Sequence, residues 1–297
     1  MAAETLSSST SNGDQRARPG FRAGLIGQGI QLSRTPKMHI DEGRAQGIDY
    51  RYDLIETAGH PGDPDIADLL NRAEDEGYCG VNITYPFKRA VVALVDQLSE
   101  TAEAIGAINT IVFRDGSRSG HNTDCWGFAE AFRTGMADAK RDRVLLLGAG
   151  GAGRAVAQAL VDLGVGKLVV HDSDPVAAAA LVSTLAGRAG DESVVQGGDL
   201  GRELSEADGI VNATPVGMAS LPGSPVPVHA IRPHHWVADI IYFPLETELL
   251  AAARATGCRV LNGSGMAVFQ AARAFELFTG LKPDSKRMRA TFDAFSD

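Results

Sequence analysis

The sequence predicts an α/β fold with mostly parallel sheets, divided into two domains, and three observations predict it. Strand-like and helix-like segments alternate along the chain, which favours right-handed βαβ units. At 297 residues the chain is long enough for two cores at about 150 residues per domain. Finally, Arg143 to Asp172 reads as strand, glycine turn, helix and second strand within thirty residues, the pattern of a Rossmann unit.

The elements follow in order. Residues 1–20 are rich in Ser, Thr, Gly and Arg without the apolar run of a signal peptide, and are expected to form a disordered tail. Phe21 to Ile26 reads as a strand. A helix is expected from Pro36 to about Gln46, with Thr35 as N-cap and Gly47 as stop. Tyr50 to Ile55 is a second strand, Pro64 to Glu76 a helix closed by Gly77, and Gly80 to Ile83 a third strand. A proline turn at Thr84 to Phe87 then leads into a helix with Val91, Val92 and Val95 on its apolar side. Lys88 falls in that helix's first turn, an end that prefers negative charge, so its placement asks for a reason even though a solvated lysine would also be ordinary. Next come a short helix, a strand, a turn at Asp115-Gly116 and a helix begun by Asn122, Thr123 and Asp124. Asp124 suits either an N-cap or a site carboxylate.

In the glycine segment, Val144 to Leu147 is a short apolar run followed by Gly148, Gly150 and Gly153 in the spacing G-x-G-x-x-G. Gly148 permits the turn, Gly150 lets backbone approach a pyrophosphate, and Gly153 lets the helix pack on the strand with its N-terminus aimed at the phosphates. The helix from Gly151 ends near Gly164. The next strand, Leu168 to Val170, delivers Asp172 nineteen positions after Gly153, the spacing of a ribose-binding carboxylate. That carboxylate accepts from a ribose 2′-OH and repels a 2′-phosphate, so the expected cofactor is NAD. Beyond it lie a helix after Pro175 and strands at Val194 to Gln196, Gly209 to Asn212 and Trp236 to Tyr242. A helix from Glu246 to Thr256, a last strand at Cys258 to Leu261, and a glycine loop at Asn262 to Gly265 launching a helix from Met266 to about Phe278 complete the chain. Gln270 could be simply a polar position on that helix.

Composition limits the partners. A formal charge of −9 without a basic run argues against nucleic acid and anionic membranes. No apolar stretch approaches the roughly 20 residues of a membrane span. Three distant cysteines, Cys79, Cys125 and Cys258, make neither a zinc spacing nor a disulfide framework, so no metal is expected and a reducing cytoplasm fits. A homodimer is admitted by the sequence but not specified.

Seven ordered motifs carry a resemblance that periodicity does not supply: LSRTP (32–36), GVNITYPFK (80–88), GAINT (106–110), NTD (122–124), GAGGAG (148–153), NATPVGM (212–218) and NGSGMAVFQ (262–270). From about Ala23 to the C-terminal helices the chain resembles the shikimate dehydrogenase family. The resemblance implies a substrate-binding catalytic domain, 21–124 with 267–297, around a Rossmann NAD domain, 125–266. It makes Lys88 and Asp124 the catalytic pair. It implies that Ser33 and Thr35 hold the substrate carboxylate, that Asn82, Thr84, Asn109 and Gln270 bind ring hydroxyls or carboxylate, and that Tyr242 closes the pocket. The cofactor is expected on Gly148, Ala149, Gly150, Gly151, Ala152, Gly153 and Asp172, with Ala213, Thr214 and Val216 along the groove and Ile240, Gly263 and Met266 at the nicotinamide.

Two departures from the common family pattern refine this. Where many members carry Asn-Arg-Thr to grip a 2′-phosphate, this chain has His171-Asp172-Ser173, which implies NAD. Where shikimate-specific members have Ser-x-Ser, it has Ser33-Arg34-Thr35, resembling members that also oxidise quinate. The expected reaction is reversible NAD-dependent oxidation of the C3 hydroxyl of quinate and shikimate to 3-dehydroquinate and 3-dehydroshikimate. The alternatives are an NADP-dependent biosynthetic shikimate dehydrogenase and a non-catalytic NAD sensor. A methylene-tetrahydrofolate dehydrogenase lacks support, because Tyr85 lies too near Lys88 to mimic its tyrosine-lysine site.

Overall fold

Residues 20–59, 65–189 and 192–295 are described by the structure, a computed structural model. The tail expected over 1–20 lies, apart from Gly20, outside the described residues, as does Pro64. The first sheet takes β1 (Phe21–Gly27), β2 (Tyr50–Glu56), β3 (Gly80–Ile83), β4 (Gln97–Leu98), β5 (Thr110–Arg114) and β6 (Ser117–His121) in the order β2-β1-β3-β5-β6-β4. Helices α1 (Thr35–Ala45), α2 (Ile66–Asp75) and α3 (Glu100–Ile105) connect them. Strands β1, β2 and β3 are parallel, as the alternation predicted, whereas β5 runs antiparallel to β3 and β6.

The antiparallel part comes from Asp115-Gly116. Both residues have positive φ, 54° and 70°, so the expected turn is a two-residue hairpin and β6, absent from the sequence reading, is its second arm. Three other local readings change. The segment after Phe87 is a 3₁₀ turn, Ala90–Leu94, rather than an α-helix, and Lys88 precedes it. β-Branched Val91 and Val92 disfavour the helix, and Val95 is already extended toward β4. Thr35 is the first helical residue of α1 and Arg34 the N-cap, with no side-chain capping bond. Helix α2 is capped instead by Asp65, which accepts from the Ala67 amide.

The second sheet takes β7 (Arg143–Leu147), β8 (Lys167–His171), β9 (Val194–Gln196), β10 (Gly209–Asn212), β11 (Trp236–Asp239) and β12 (Arg259–Leu261), all parallel, in the order β12-β11-β10-β7-β8-β9. Read from β9, this is the Rossmann order 3-2-1-4-5-6, with its switch point between β7 and β10. Helices α5 (Gly151–Asp162), α6 (Pro175–Ala189), α7 (Leu200–Glu206) and α8 (Glu248–Ala255) cover its faces. β7 is apolar without alternation because both faces are buried: Val144 and Leu146 join one core cluster, Leu145 and Leu147 the other. The strand expected to reach Tyr242 ends at Asp239, which leaves Ile240 to Tyr242 free to border the cleft.

Helices α4 (Thr123–Met136) and α9 (Ser264–Thr279) pack against each other, and α9 begins two residues before the expected Met266. Gly127 makes their approach possible, since a Cβ there would lie 2.8 Å from the Gln270 amide and the Met266 carbonyl. A final helix, α10 (Ser285–Asp293), not singled out in the sequence, docks on α1 through Glu42. That carboxylate has no exposed side-chain surface, accepts from Gln46 Nε2 and the Asp284 amide, and pairs with Arg287 at 2.8 Å.

Candidate active site

A cavity of about 190 Å³ opens where the two sheets face each other. At one end Lys88, from the turn after β3, meets Asp124, from the first turn of α4. Nζ donates to Oδ2 at 2.6 Å, with the side chains 20 % and 10 % exposed. The two readings left open for Asp124 are resolved, because Asn122 is the N-cap, accepting from the Cys125 amide, and the Asp124 carboxylate is released to meet Lys88.

Every residue expected at the substrate lines this cavity: Ser33, Thr35, Asn82, Thr84, Asn109, Tyr242 and Gln270 together with the Lys88–Asp124 pair. Thr35 faces it without capping α1, so its hydroxyl is not committed to the helix end. Asn82 and Asn109 sit at the strand ends almost wholly buried, and their amides are held by Thr110 and Thr123. Gln270 projects from the second turn of α9 and donates to the Ala267 carbonyl at 3.0 Å.

The sequence reading did not single out two neighbours of the motif residues. Arg34 is 5 % exposed, donates to the Phe292 carbonyl and lies over the Phe292 ring at 4.6 Å. Phe292, from α10, also lines the cavity and meets Tyr242 edge-on at 6.3 Å between centroids. An Arg placed between two hydroxyl residues was a usable signal for the first, while nothing local in the sequence announced that a C-terminal phenylalanine would fold back onto the pocket.

The glycine turn lies next to the pair. A Cβ on Gly151 would sit 3.7 Å from Lys88 Cδ, and Ala152 itself lines the cavity, as do Ile240 and Met266. Gly148 has φ of +101°, and a Cβ there would meet the Ala213 backbone at 2.8 Å. Gly153 packs directly on the Gly148 carbonyl, while a Cβ on Gly150 would meet nothing within 4 Å, leaving the open face a pyrophosphate requires. Beyond β8, Asp172 Oδ2 accepts from the Ala149 amide at 2.6 Å and Oδ1 from the Asp174 amide at 2.8 Å. The carboxylate therefore ties the end of β8 to the glycine turn, with no arginine beside it in the sequence.

Asn212 shapes the opposite wall. Fully buried, it donates to the Val216 carbonyl and to Asp239 and accepts from the Thr214 amide and hydroxyl, folding Ala213 to Val216 into a compact loop. Burial pushes the Asp239 carboxyl up, against hydrogen bonds from Ile241, Thr247 and Asn212 that favour its anion. Gly263 admits the Ile240 and Ile241 carbonyls, which a side chain would obstruct. Asp172, Ala213, Thr214, Val216 and Gly263, expected at the cofactor, do not line this cavity.

Such a groove and cavity have counterparts. The family described as the shikimate dehydrogenase substrate binding domain matches residues 25–111, and the shikimate 5′-dehydrogenase C-terminal domain matches 263–291. A ThiF family match covers 124–184. The chain is 50 % identical to a shikimate dehydrogenase (NADP(+)) of Streptomyces avermitilis, over 91 % of this chain and 94 % of the relative. It is 48 % identical to a quinate/shikimate dehydrogenase (NAD(+)) of Corynebacterium efficiens, over 91 % and 96 %. The fold superposes on a quinate dehydrogenase from Corynebacterium glutamicum in complex with NAD with a TM-score of 0.89 and 48 % identity, covering 93 % of this chain and 99 % of that one. With identity of this order over nine-tenths of its length, and a lysine–aspartate pair set between a polar cavity and a glycine turn, the chain belongs to the shikimate dehydrogenase family.

Proposed function

We propose that this protein catalyses the reversible NAD-dependent oxidation of the C3 hydroxyl of quinate and shikimate, giving 3-dehydroquinate and 3-dehydroshikimate. The observation that carries the reading is the Lys88–Asp124 contact, which opens onto the same cavity as Ile240 and Met266. NAD, when bound, supplies the acceptor for the hydride leaving C3. Lys88 Nζ takes the hydroxyl proton in oxidation and returns it in reduction. Asp124, 2.6 Å away, holds the amine in place and stabilises the ammonium once it has formed.

The remaining roles are those the family resemblance implies, and the chemistry of the side chains supports them. Ser33, Thr35 and Gln270 offer neutral polar groups to the carboxylate end, which suits a chain of net charge −9 that recognises an anion without a positive field. Asn82, Thr84 and Asn109 take ring hydroxyls, and Tyr242 closes the pocket. Gly148 to Gly153 would hold the pyrophosphate and Asp172 the ribose diol, with Ala213, Thr214, Val216, Gly263 and Met266 along the groove. Residues 21–124 with 267–297 form the substrate-binding unit and 125–266 the NAD unit; these divisions fall in the first turns of α4 and α9.

Relatives of equal similarity are named for NADP and for NAD, so similarity does not choose the cofactor. Asp172 chooses it, because a carboxylate at the ribose repels a 2′-phosphate. No helix of the described residues is long and apolar enough to cross a membrane. NADH absorbance after adding quinate or shikimate to protein and NAD tests the reading. Growth of the signal with both acids is expected; none with either would overturn it.

A further inference from the structure

The asparagines at the substrate are governed from outside the pocket. Tyr52 on β2 is 7 % exposed, does not line the cavity, and donates its phenol to Asn82 Oδ1 at 2.7 Å. Tyr52, Ala23 and Gly80 share one register level across β2, β1 and β3, and Asn82 lies two residues further along β3 on the same face. Because its own register partner on β1 is the small Ala23, the long phenol reaches diagonally over the middle strand to the asparagine. His39 packs edge-on against the Tyr52 ring at 4.9 Å and fixes it from above.

The direction of each bond can be counted. The Asn109 carbonyl can only accept, so Asn82 must turn its amide nitrogen toward it, at 3.3 Å, and toward Thr110 Oγ1, at 2.9 Å. Both Asn82 N–H groups are then used, and Oδ1 faces Tyr52. Burial pushes the Tyr52 phenol up, so it stays protonated and serves as the donor Oδ1 needs. In Asn109 the arrangement is inverted. Its Oδ1 accepts from the Thr123 amide at 2.7 Å and from Thr110 Oγ1 at 3.1 Å, while Nδ2 spends one hydrogen on Thr123 Oγ1 at 2.9 Å. What remains for a ligand is a lone pair at Asn82 and an N–H at Asn109.

We infer that Tyr52 is a positioning residue that, together with the Asn109 carbonyl, holds Asn82 as an acceptor in the substrate pocket, opposite Asn109, which Thr123 and Thr110 leave as the donor to the ring hydroxyls. One bound hydroxyl must therefore donate and the other accept. Without the phenol, Asn82 Oδ1 loses the donor that orients it, so its lone pair is no longer held toward the ring hydroxyl.

This inference rests on the proposed quinate and shikimate activity, and its test separates the two. Steady-state kcat and KM with NAD are measured for shikimate and for the two analogues in which one non-reacting ring hydroxyl is replaced by fluorine, which cannot donate. In the wild-type protein one analogue loses about tenfold or more in kcat/KM and the other distinctly less. In Tyr52→Phe the kcat/KM for shikimate falls by roughly 3- to 30-fold, carried by KM, and the gap between the analogues closes. Tyr50→Phe removes a neighbouring buried phenol whose partner is His39, and keeps the wild-type gap. Equal penalties for the two analogues in the wild-type protein overturn the assignment without recourse to any variant. So does a gap that survives Tyr52→Phe, or one that Tyr50→Phe closes equally. Absence of wild-type turnover of shikimate overturns the functional reading and this inference with it.

Discussion

Removing the Lys88 amine while keeping its stem isolates proton transfer from packing. In Lys88→Met the chain still fills the space beside Gly151, where the lysine Cδ lies 3.7 Å from the position of a glycine Cβ. The variant loses the 2.6 Å bond to Asp124 and any acceptor for the substrate proton. A positioned general base is worth about 10² to 10⁴ in rate, so kcat should fall by that factor. Asp124, 10 % exposed at its side chain, is left without its cation, at a cost of about 1–3 kcal/mol. For a domain of roughly 150–250 residues this lowers Tm by about 2–4 °C per kcal/mol. Binding of NAD, measured by calorimetry without substrate, should hardly change, since Lys88 sits on the substrate side of the glycine turn. The double variant with Asp124→Asn should be little slower than Lys88→Met alone, because residues that act as one unit are not additive. A Lys88→Met enzyme retaining a tenth or more of wild-type kcat, with hydride transfer shown to be limiting, would refute the assignment.

The other predictions concern separate parts of the molecule. Asp172→Ala should weaken NAD and relieve the rejection of NADP, and should loosen the glycine turn through loss of the Ala149 bond; unchanged KM for both cofactors in steady-state assays would contradict this. Thr35→Ser keeps a hydroxyl but frees its χ1, so kcat/KM should fall for quinate more than for shikimate, by about 1–3 kcal/mol if a substrate hydroxyl loses its partner; parallel losses would move quinate recognition elsewhere. His39 is fully buried and burial lowers its pKa to about 3 from 6.5, so between those values the unfolded chain binds a proton that the folded one refuses. Stability from this ring is complete above pH 6.5 and declines as pH falls toward 3, by up to a few kcal/mol. Urea midpoints should fall less steeply with acidification in His39→Phe than in the wild type, and identical slopes would refute the contribution.

The Rossmann half was legible because its physics is local. Val144 to Leu147 form the buried strand the apolar run announces, and Gly148 and Gly153 occupy positions that a side chain would obstruct. Strand boundaries at Gly80–Ile83, Val194–Gln196 and Gly209–Asn212 coincide with the reading, since glycine, polar and proline residues bracket short apolar runs. The Lys88–Asp124 pair was different. A lysine in a turn and an aspartate beside a cap have ordinary solvated explanations, and only tertiary structure brings residues 36 positions apart to 2.6 Å. Family resemblance supplied that pairing where periodicity did not. The misplacements share one cause, competition between local propensity and tertiary demand: Val91 of the 3₁₀ turn at Ala90–Leu94 is drawn into the core, while Thr35 and the residues just past the early end of β11, Ile240 and Tyr242, line the cavity. Phe292 and Tyr52 were invisible for a further reason, since each acts through a neighbour that the sequence places far away.

The most direct test of the account is a set of initial rates for quinate and shikimate, each with NAD and with NADP, on one enzyme preparation. Turnover of both acids with NAD and little with NADP is expected, because a carboxylate in the role proposed for Asp172 repels a 2′-phosphate. Rates with NADP equal to or above those with NAD would contradict the role of Asp172, and absence of NAD-dependent turnover of quinate would contradict the wider substrate range assigned to Ser33-Arg34-Thr35.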